Sequence, residues 1–425
     1  MKRKTDELIL YRDLPNDGIL RDVTRLLADA GSADKSRYCR AVSGLIETAA
    51  LCGFSGNLWQ DYLTLLLCSH ENAYSLACEG RDGADGSVKE IALSDLAFFV
   101  ELFGADLCVL DRLFDSDGFE KILDYSNPAG GTVFEKETAR AICDLSVSLS
   151  GAGDAEAFAR ILQGWYKAHG VGDPGFYRAF RVEHTDGGAV LIPITEPLKV
   201  SLSDLVGYED AKAKLIRNTE AFLAGRGGNN CLLYGDAGTG KSSAIKGLLN
   251  AYHDRGLRII ELYRHQFRDI QDVIEQIRGR NYKFILYLDD LSFEDHETEY
   301  KYLKAVIEGG LQKKPDNVCV YATSNRRHLI REKFSDKREL DDELHASETV
   351  QEKLSLAARF GMTVYFRSPD KKEYEEIVLE LARRTGIDMP EEELLQEAMR
   401  WELYHGGLSG RTATQFISDL LGGMQ

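Results

Sequence analysis

The sequence predicts an α/β fold: a parallel sheet built around a phosphate-binding loop, with helices closing the chain and a mainly α-helical domain before it. Three observations lead there. Apolar residues recur at helical spacing up to about residue 170. Strand and helix patterns alternate from about residue 198. A glycine-rich loop ending in Lys-Ser follows the first apolar strand of that alternation.

The totals set the frame. At 425 residues the chain has room for two or three domains with cores of their own. Residues 1–200 hold 20 basic and 31 acidic side chains, and the remainder 32 and 38. Neither half is basic, so no broad electrostatic footprint for nucleic acid or an anionic membrane exists. The run "NRRHLIREK", Asn325 to Lys333, is the best place for a local one. The eight cysteines lie scattered from Cys39 to Cys319 with no CxxC and no zinc spacing, which fits reduced thiols in a cytoplasmic protein. The basic N-terminus lacks the apolar core of a signal peptide, and no stretch reaches 18 uninterrupted apolar residues.

The helical domain is expected over residues 1–170. Leu96, Phe99, Val100, Phe103, Leu107 and Leu110 sit at helical spacing, and "DAEAFARILQGWYKAHG" runs from Asp154 as an N-cap to Gly170 as a C-cap. Such stripes are core, and no catalytic constellation accompanies them. The domain reads as an accessory or partner-binding part. Residues 171–197 hold Pro174, Pro193 and Pro197 and a β-hairpin turning at Asp186-Gly187-Gly188, read as a linker.

The sheet domain is expected over 198–369. Its strands are "NNCLLYG", "RIIELY", "YKFILYLDD", "NVCVYATSN" and "MTVYFRS". The polar run from Ser335 to Lys353 is a surface connector. Helices beginning near Lys371, Pro390 and Ser409 fill 370–425.

"GDAGTGKSS" carries the chemistry. Gly235, four residues, then Gly240-Lys241-Ser242 match GxxxxGK[ST] between a strand and a helix. Glycines let successive N–H groups curl toward phosphate oxygens, and the following helix adds partial positive charge. Gly235, Asp236, Ala237, Gly238, Thr239, Gly240, Lys241, Ser242 and Ser243 therefore form a candidate triphosphate cradle. Lys241 suits the β- and γ-phosphates, and the Ser242 hydroxyl suits Mg2+. A second strand, "FILYLDD", ends in Asp289, placed to hold the metal at the sheet's carboxyl edge.

With these motifs in place the chain resembles AAA+ ATPases, and more narrowly a family of uncharacterised bacterial AAA+-like ATP-binding proteins near the initiator and helicase-loader branch. The resemblance spans about Leu198 to Leu421. It rests on "LVGYEDAKAKLIRNTEAFLAG", "LLYGDAGTGKSSAIK", "YLDDLSFE", "PDNVCVYATSNRRHLI", "EKLSLAARFG" and "SGRTATQFISDLL". It implies ATP as the nucleotide, Mg2+ as cofactor, ATP hydrolysis, and a terminal helical lid. Val206, Gly207 and Tyr208 match the segment lining the adenine pocket. Asn325 matches the sensor that orients water or γ-phosphate, and Arg411 the lid arginine. Arg359 matches the arginine finger given to a neighbouring subunit, which implies a homo-oligomer. Two departures stand out. Asp290 replaces the usual glutamate and is one methylene shorter, so water activation falls to Asp290 or, if the following loop folds back, to Glu294. Asp290 is the expected one. The charged connector ahead of Arg359 is the other departure.

The function expected is thus an ATPase coupling nucleotide state to a protein client on the helical domain. A nucleotide switch or loader with little turnover is the rival. A nucleic-acid-remodelling motor is possible but not favoured by charge, and a small-molecule kinase leaves Arg359 and Arg411 unexplained.

Overall fold

The computed structural model describes residues 5–28, 34–80, 83–127, 130–293, 299–308, 314–325 and 356–423. The chain divides into two compact units, Met1–Tyr177 and Arg178–Gln425.

The first unit is helical: α1 (Gly18–Ala28), α2 (Lys35–Cys52), α3 (Leu58–Ser69), α4 (Ala73–Gly80), α5 (Ser87–Phe103), α6 (Cys108–Phe114), α7 (Gly118–Ile122), α8 (Lys136–Ser150), α9 (Ala155–His169) and α10 (Asp173–Phe176). Helix α9 shows why. Asp154 accepts from the Ala157 N–H, and Phe158, Ala159, Leu162, Trp165 and Tyr166 bury one face. The apolar stripe read as continuous through Leu110 is broken. Helix α5 ends at Phe103, where the Gly104 N–H caps back onto Val100, and α6 starts afresh at Cys108.

The second unit is a seven-stranded sheet in the order β2-β1-β4-β5-β6-β3-β7. Its strands are β1 (Ala179–Thr185), β2 (Gly188–Pro193), β3 (Cys231–Gly235), β4 (Leu257–Leu262), β5 (Lys283–Leu288), β6 (Val318–Ser324) and β7 (Met362–Phe366). Helices α11 (Glu209–Leu223), α12 (Lys241–Tyr252), α13 (Ile270–Ile277) and α14 (Tyr300–Glu308) connect and cover it. The interior strand β6 is buried at every position, as a strand covered on both faces must be. The β1–β2 hairpin, expected in a linker, extends the sheet: β1 pairs in parallel with β4, from Ala179 opposite Ile259 to Arg181 opposite Glu261. Its residues Ala179, Phe180 and Val182 are buried, so pairing satisfies both its backbone and its apolar face.

Helices α15 (Lys371–Thr385), α16 (Glu391–His405) and α17 (Gly410–Gly423) form the lid with a core of their own around Tyr374, Ile377, Val378, Leu394 and Phe416. Asp370 and Glu373 close a reciprocal capping box at the start of α15, and Gly386 in the left-handed region ends it. Among the described residues no helix is long and apolar enough to cross a membrane.

Candidate nucleotide site

The sheet order sets the site. Strand β3 lies beside β6, and β5 beside β6 on its other side, so the glycine loop and the acid strand open on one carboxyl edge. The loop is held in a shape only glycine permits at two points. Gly235 has φ +143°, and a β-carbon there would lie 1.8 Å from the Phe366 carbonyl oxygen. Gly240, at φ +88°, would place one 2.2 Å from Leu205. Helix α12 then starts at Lys241 and aims its free N–H groups at the loop.

Lys241 is 6% exposed, and its Nζ donates to the carbonyls of Gly235 (2.8 Å) and Asp236 (2.6 Å) and to Asn325 Oδ1 (3.0 Å). Burial lowers its pKa from the ordinary lysine value, against the pull of Asp236, Asp290 and Asp289. The Ser242 hydroxyl donates to Asp289 Oδ1 at 2.9 Å, and the Thr323 hydroxyl donates to the same oxygen at 2.6 Å. Burial of Asp289 opposes its ionisation, but hydrogen bonds led by that of Thr323 outweigh it and hold the carboxyl below its usual range. The carboxylate is therefore charged at neutral pH. Asp290 follows in the left-handed region at φ +50°, its N–H bound to Thr323 Oγ1 (2.9 Å) and its carboxylate accepting from Asn325 Nδ2 (2.9 Å).

The lid closes the other side. Ser409 caps α17 by accepting from the Thr412 N–H, and the Arg411 N–H donates to the Gly238 carbonyl at 3.2 Å. Between sheet and lid runs a cleft of ≈ 740 Å³ lined by Val206, Tyr208, Ala237, Gly238, Gly240, Lys241, Ser242, Ser243, Asp289, Asp290, Asn325 and Arg411. That volume is in the range of small-molecule sites, about 300–1,000 Å³.

Several expected residues stand apart from this cleft. Gly235 and Thr239 are buried at the base of the loop, and Asp236 turns its carboxylate to the Ser368 hydroxyl (2.7 Å). Gly207, at φ +80°, turns the chain behind the cleft wall. Arg359 lies half-buried in the turn before β7 and is not among the lining residues. Glu294, most of "NRRHLIREK" and the connector at Ser335 to Lys353 lie outside the described residues. Thr323 was missed from sequence. Its signal was its place two residues before Asn325, on the strand beside the acids.

The residues present fit a magnesium-bound nucleoside triphosphate. The loop's curl relies on glycine at Gly235, whose β-carbon would strike the Phe366 carbonyl, and Ser242 with Asp289 gives the hydroxyl and carboxylate oxygens that a hard cation takes alongside water. Fold and site together define an α/β protein of the P-loop NTPase fold class. Residues 176–424 match the family described as "Protein of unknown function (DUF815)", and the chain belongs to that family. It is similar to the replication factor C large subunit of Staphylothermus marinus, at 37% identity over 73 residues, 17% of this chain and 16% of that protein. It is also similar to a Thermotoga maritima RuvB variant, at 18% identity and TM-score 0.38 over 53% of this chain and 66% of that one. The Thermotoga maritima RuvB Holliday junction branch migration motor gives 14% identity and TM-score 0.33 over 52% of this chain and 72% of that one. The chain thus spans about a sixth of the curated relative and under two thirds of the first of these solved structures.

Proposed function

We propose that this chain binds Mg-ATP between sheet and lid and hydrolyses it, coupling nucleotide state to a protein partner on the helical unit. The observation that supports this most is the convergence of Lys241, Ser242, Asp289, Asp290, Asn325 and Arg411, from four separate segments, on one cleft. Lys241 exchanges the Gly235 and Asp236 carbonyls for β- and γ-phosphate oxygens, which are charged acceptors and bind it more strongly. Ser242 and Asp289 hold Mg2+, which when bound neutralises phosphate charge. Asp290 accepts the proton of the attacking water, Asn325 orients that water, and Arg411 brings positive charge from the lid. Glu294 is the alternative base. Arg359 completes the site of a neighbouring copy, which makes the active form a homo-oligomer.

A second reading, a switch that binds ATP and turns it over little, is favoured by one observation. The shorter acid Asp290 is already engaged by Asn325 and sits on a left-handed backbone. A displacement of about 1 Å at a reacting group costs on the order of a hundredfold in rate.

Fluorescent-ATP titration and phosphate release against protein concentration separate these readings. Lys241→Ala weakens binding by about a hundredfold with the fold retained, the scale of lost charged hydrogen bonds. Asp290→Asn keeps binding but lowers turnover at least about tenfold. Glu294→Gln does so instead if that residue is the base. Arg359→Ala removes the part of the rate that rises with protein concentration. Binding without turnover at any concentration establishes the switch, and no binding by the wild type overturns both.

A further inference from the structure

The segment from Ser201 to Tyr208 stands between two clefts. Leu205 and Val206 line the nucleotide cleft on one side and, on the other, a second cleft of ≈ 720 Å³ against α11 and α15. Leu202, Leu205 and Tyr208 pack on the sheet core and Val206 on the core of the terminal helices, so the strip bridges the two and its position depends on both. There are ties from both sides. From the sheet side, Lys212 on α11 donates to the Leu205 carbonyl at 2.9 Å and pairs with Glu209 at 2.7 Å. From the lid side, Arg384 on α15 spends its whole guanidinium. Nε bonds Glu380 at 2.7 Å, Nη2 bonds the Ser203 carbonyl at 2.9 Å, and Nη1 lies 3.6 Å from Asp204. Asp204 also accepts from the Ser201 N–H in a capping box, so the arginine grips a locally stiffened turn.

We infer that Arg384 is a positioning residue for the base end of the nucleotide: it transmits lid position to the wall formed by Leu205 and Val206. The inference rests on the proposed nucleotide site. It assigns to the lid a grip on the base that is separate from the phosphate contact through Arg411. Losing Arg384 loosens the wall against the base, while the phosphate cradle keeps its own frame of β3, α12 and β5 and meets the strip only where Leu205 abuts Gly240.

The test compares ATP with inorganic tripolyphosphate, which has the phosphates and no base. For Arg384→Ala, affinity for ATP falls about fivefold, the scale of a partly exposed ion pair plus one charged hydrogen bond. Affinity for tripolyphosphate stays within about twofold, and turnover at saturating ATP does the same. Arg384→Lys keeps the cation but loses the fork, and falls between. Asp204→Asn keeps an acceptor for the Ser201 N–H and loses the ion pair, so it weakens ATP about twofold without tripolyphosphate following. Thermal melting without nucleotide certifies that each variant is folded. Unchanged ATP affinity in Arg384→Ala, or equal losses for ATP and tripolyphosphate, overturns the inference while leaving the site reading intact. A wild type that binds neither compound overturns the site reading and the inference with it.

Discussion

The two units hold their acids in opposite ways. In the helical unit, buried carboxylates are answered from within the chain. Asp95 accepts from the N–H groups of Ile9 (3.0 Å), Leu10 (2.7 Å) and Tyr11 (3.1 Å). Asp111 takes the Tyr38 hydroxyl and the N–H groups of Phe119 and Glu120, and Glu79 takes the N–H of Val171. In the sheet unit, Asp289 and Asp290 are answered mainly by Ser242, Thr323 and Asn325, side chains that can trade partners, and both acids border an open cleft. Polar groups closed on backbone N–H groups rigidify a fold, while polar groups closed on each other around open volume are ready to exchange partners. The contrast is the one the proposed function requires, with exchangeable partners at the cleft and fixed ones in the helical unit.

Asp95→Ala tests the architectural side hardest. It leaves three backbone donors without their acceptor, one of them on the fully buried Tyr11, so the helical unit loses about 4 kcal/mol. Urea denaturation followed by the tryptophans of that unit reads the shift, and ATP affinity measured on the folded protein stays within about twofold. A fall in ATP affinity from this substitution breaks the division of labour.

Asp61 sharpens the comparison, because it is the underserved acid of the helical unit. Burial raises its pKa to about 6, and the hydrogen bonds from Ser146 and Cys143 only partly offset that. The folded chain then holds a proton that the unfolded chain releases near pH 4, so stability is greatest below that point and declines as pH rises through about 6. The decline attributable to Asp61 is on the order of 2 kcal/mol. Asp61→Asn removes it: the variant matches wild type near pH 4 and exceeds it near pH 7 in urea melts. Equal slopes for the two proteins break the assignment.

What the sequence made legible follows the same physics. The glycine loop was readable because positive φ at Gly235 and Gly240, with the Phe366 backbone against Gly235, favours glycine strongly there. The place of Asp289 at the carboxyl edge beside Ser242 was readable because it ends an apolar strand next to the glycine loop. The hairpin was readable as a hairpin but not as part of the sheet, since β1 meets β4 across some eighty residues of chain that carry no local record of the pairing. Thr323 and Arg384 were hidden for the same reason. Their work depends on which strand or helix they face, and periodicity reports burial rather than partners. Gly104 could have been read as a helix end, but the continuous apolar stripe on either side masked it.

The smallest expected effect concerns Tyr208, which lines the cleft. Its backbone takes the left-handed region at φ +60°, its ring packs on Phe366 with centroids 5.4 Å apart, and burial pushes its phenol up to about 12. Among the described residues its buried hydroxyl finds no hydrogen-bond partner. An unpaired buried hydroxyl costs stability, so Tyr208→Phe leaves the protein as stable or up to about 1 kcal/mol more stable. That is a rise in melting temperature of about 2–4 °C at most for a unit of this size. ATP affinity stays within about twofold, because the ring and the backbone turn are kept. If melting temperature rises while ATP affinity drops severalfold, the hydroxyl is being held in reserve for the nucleotide. Tyr208 then belongs with the exchanging polar groups of the cleft rather than with its wall.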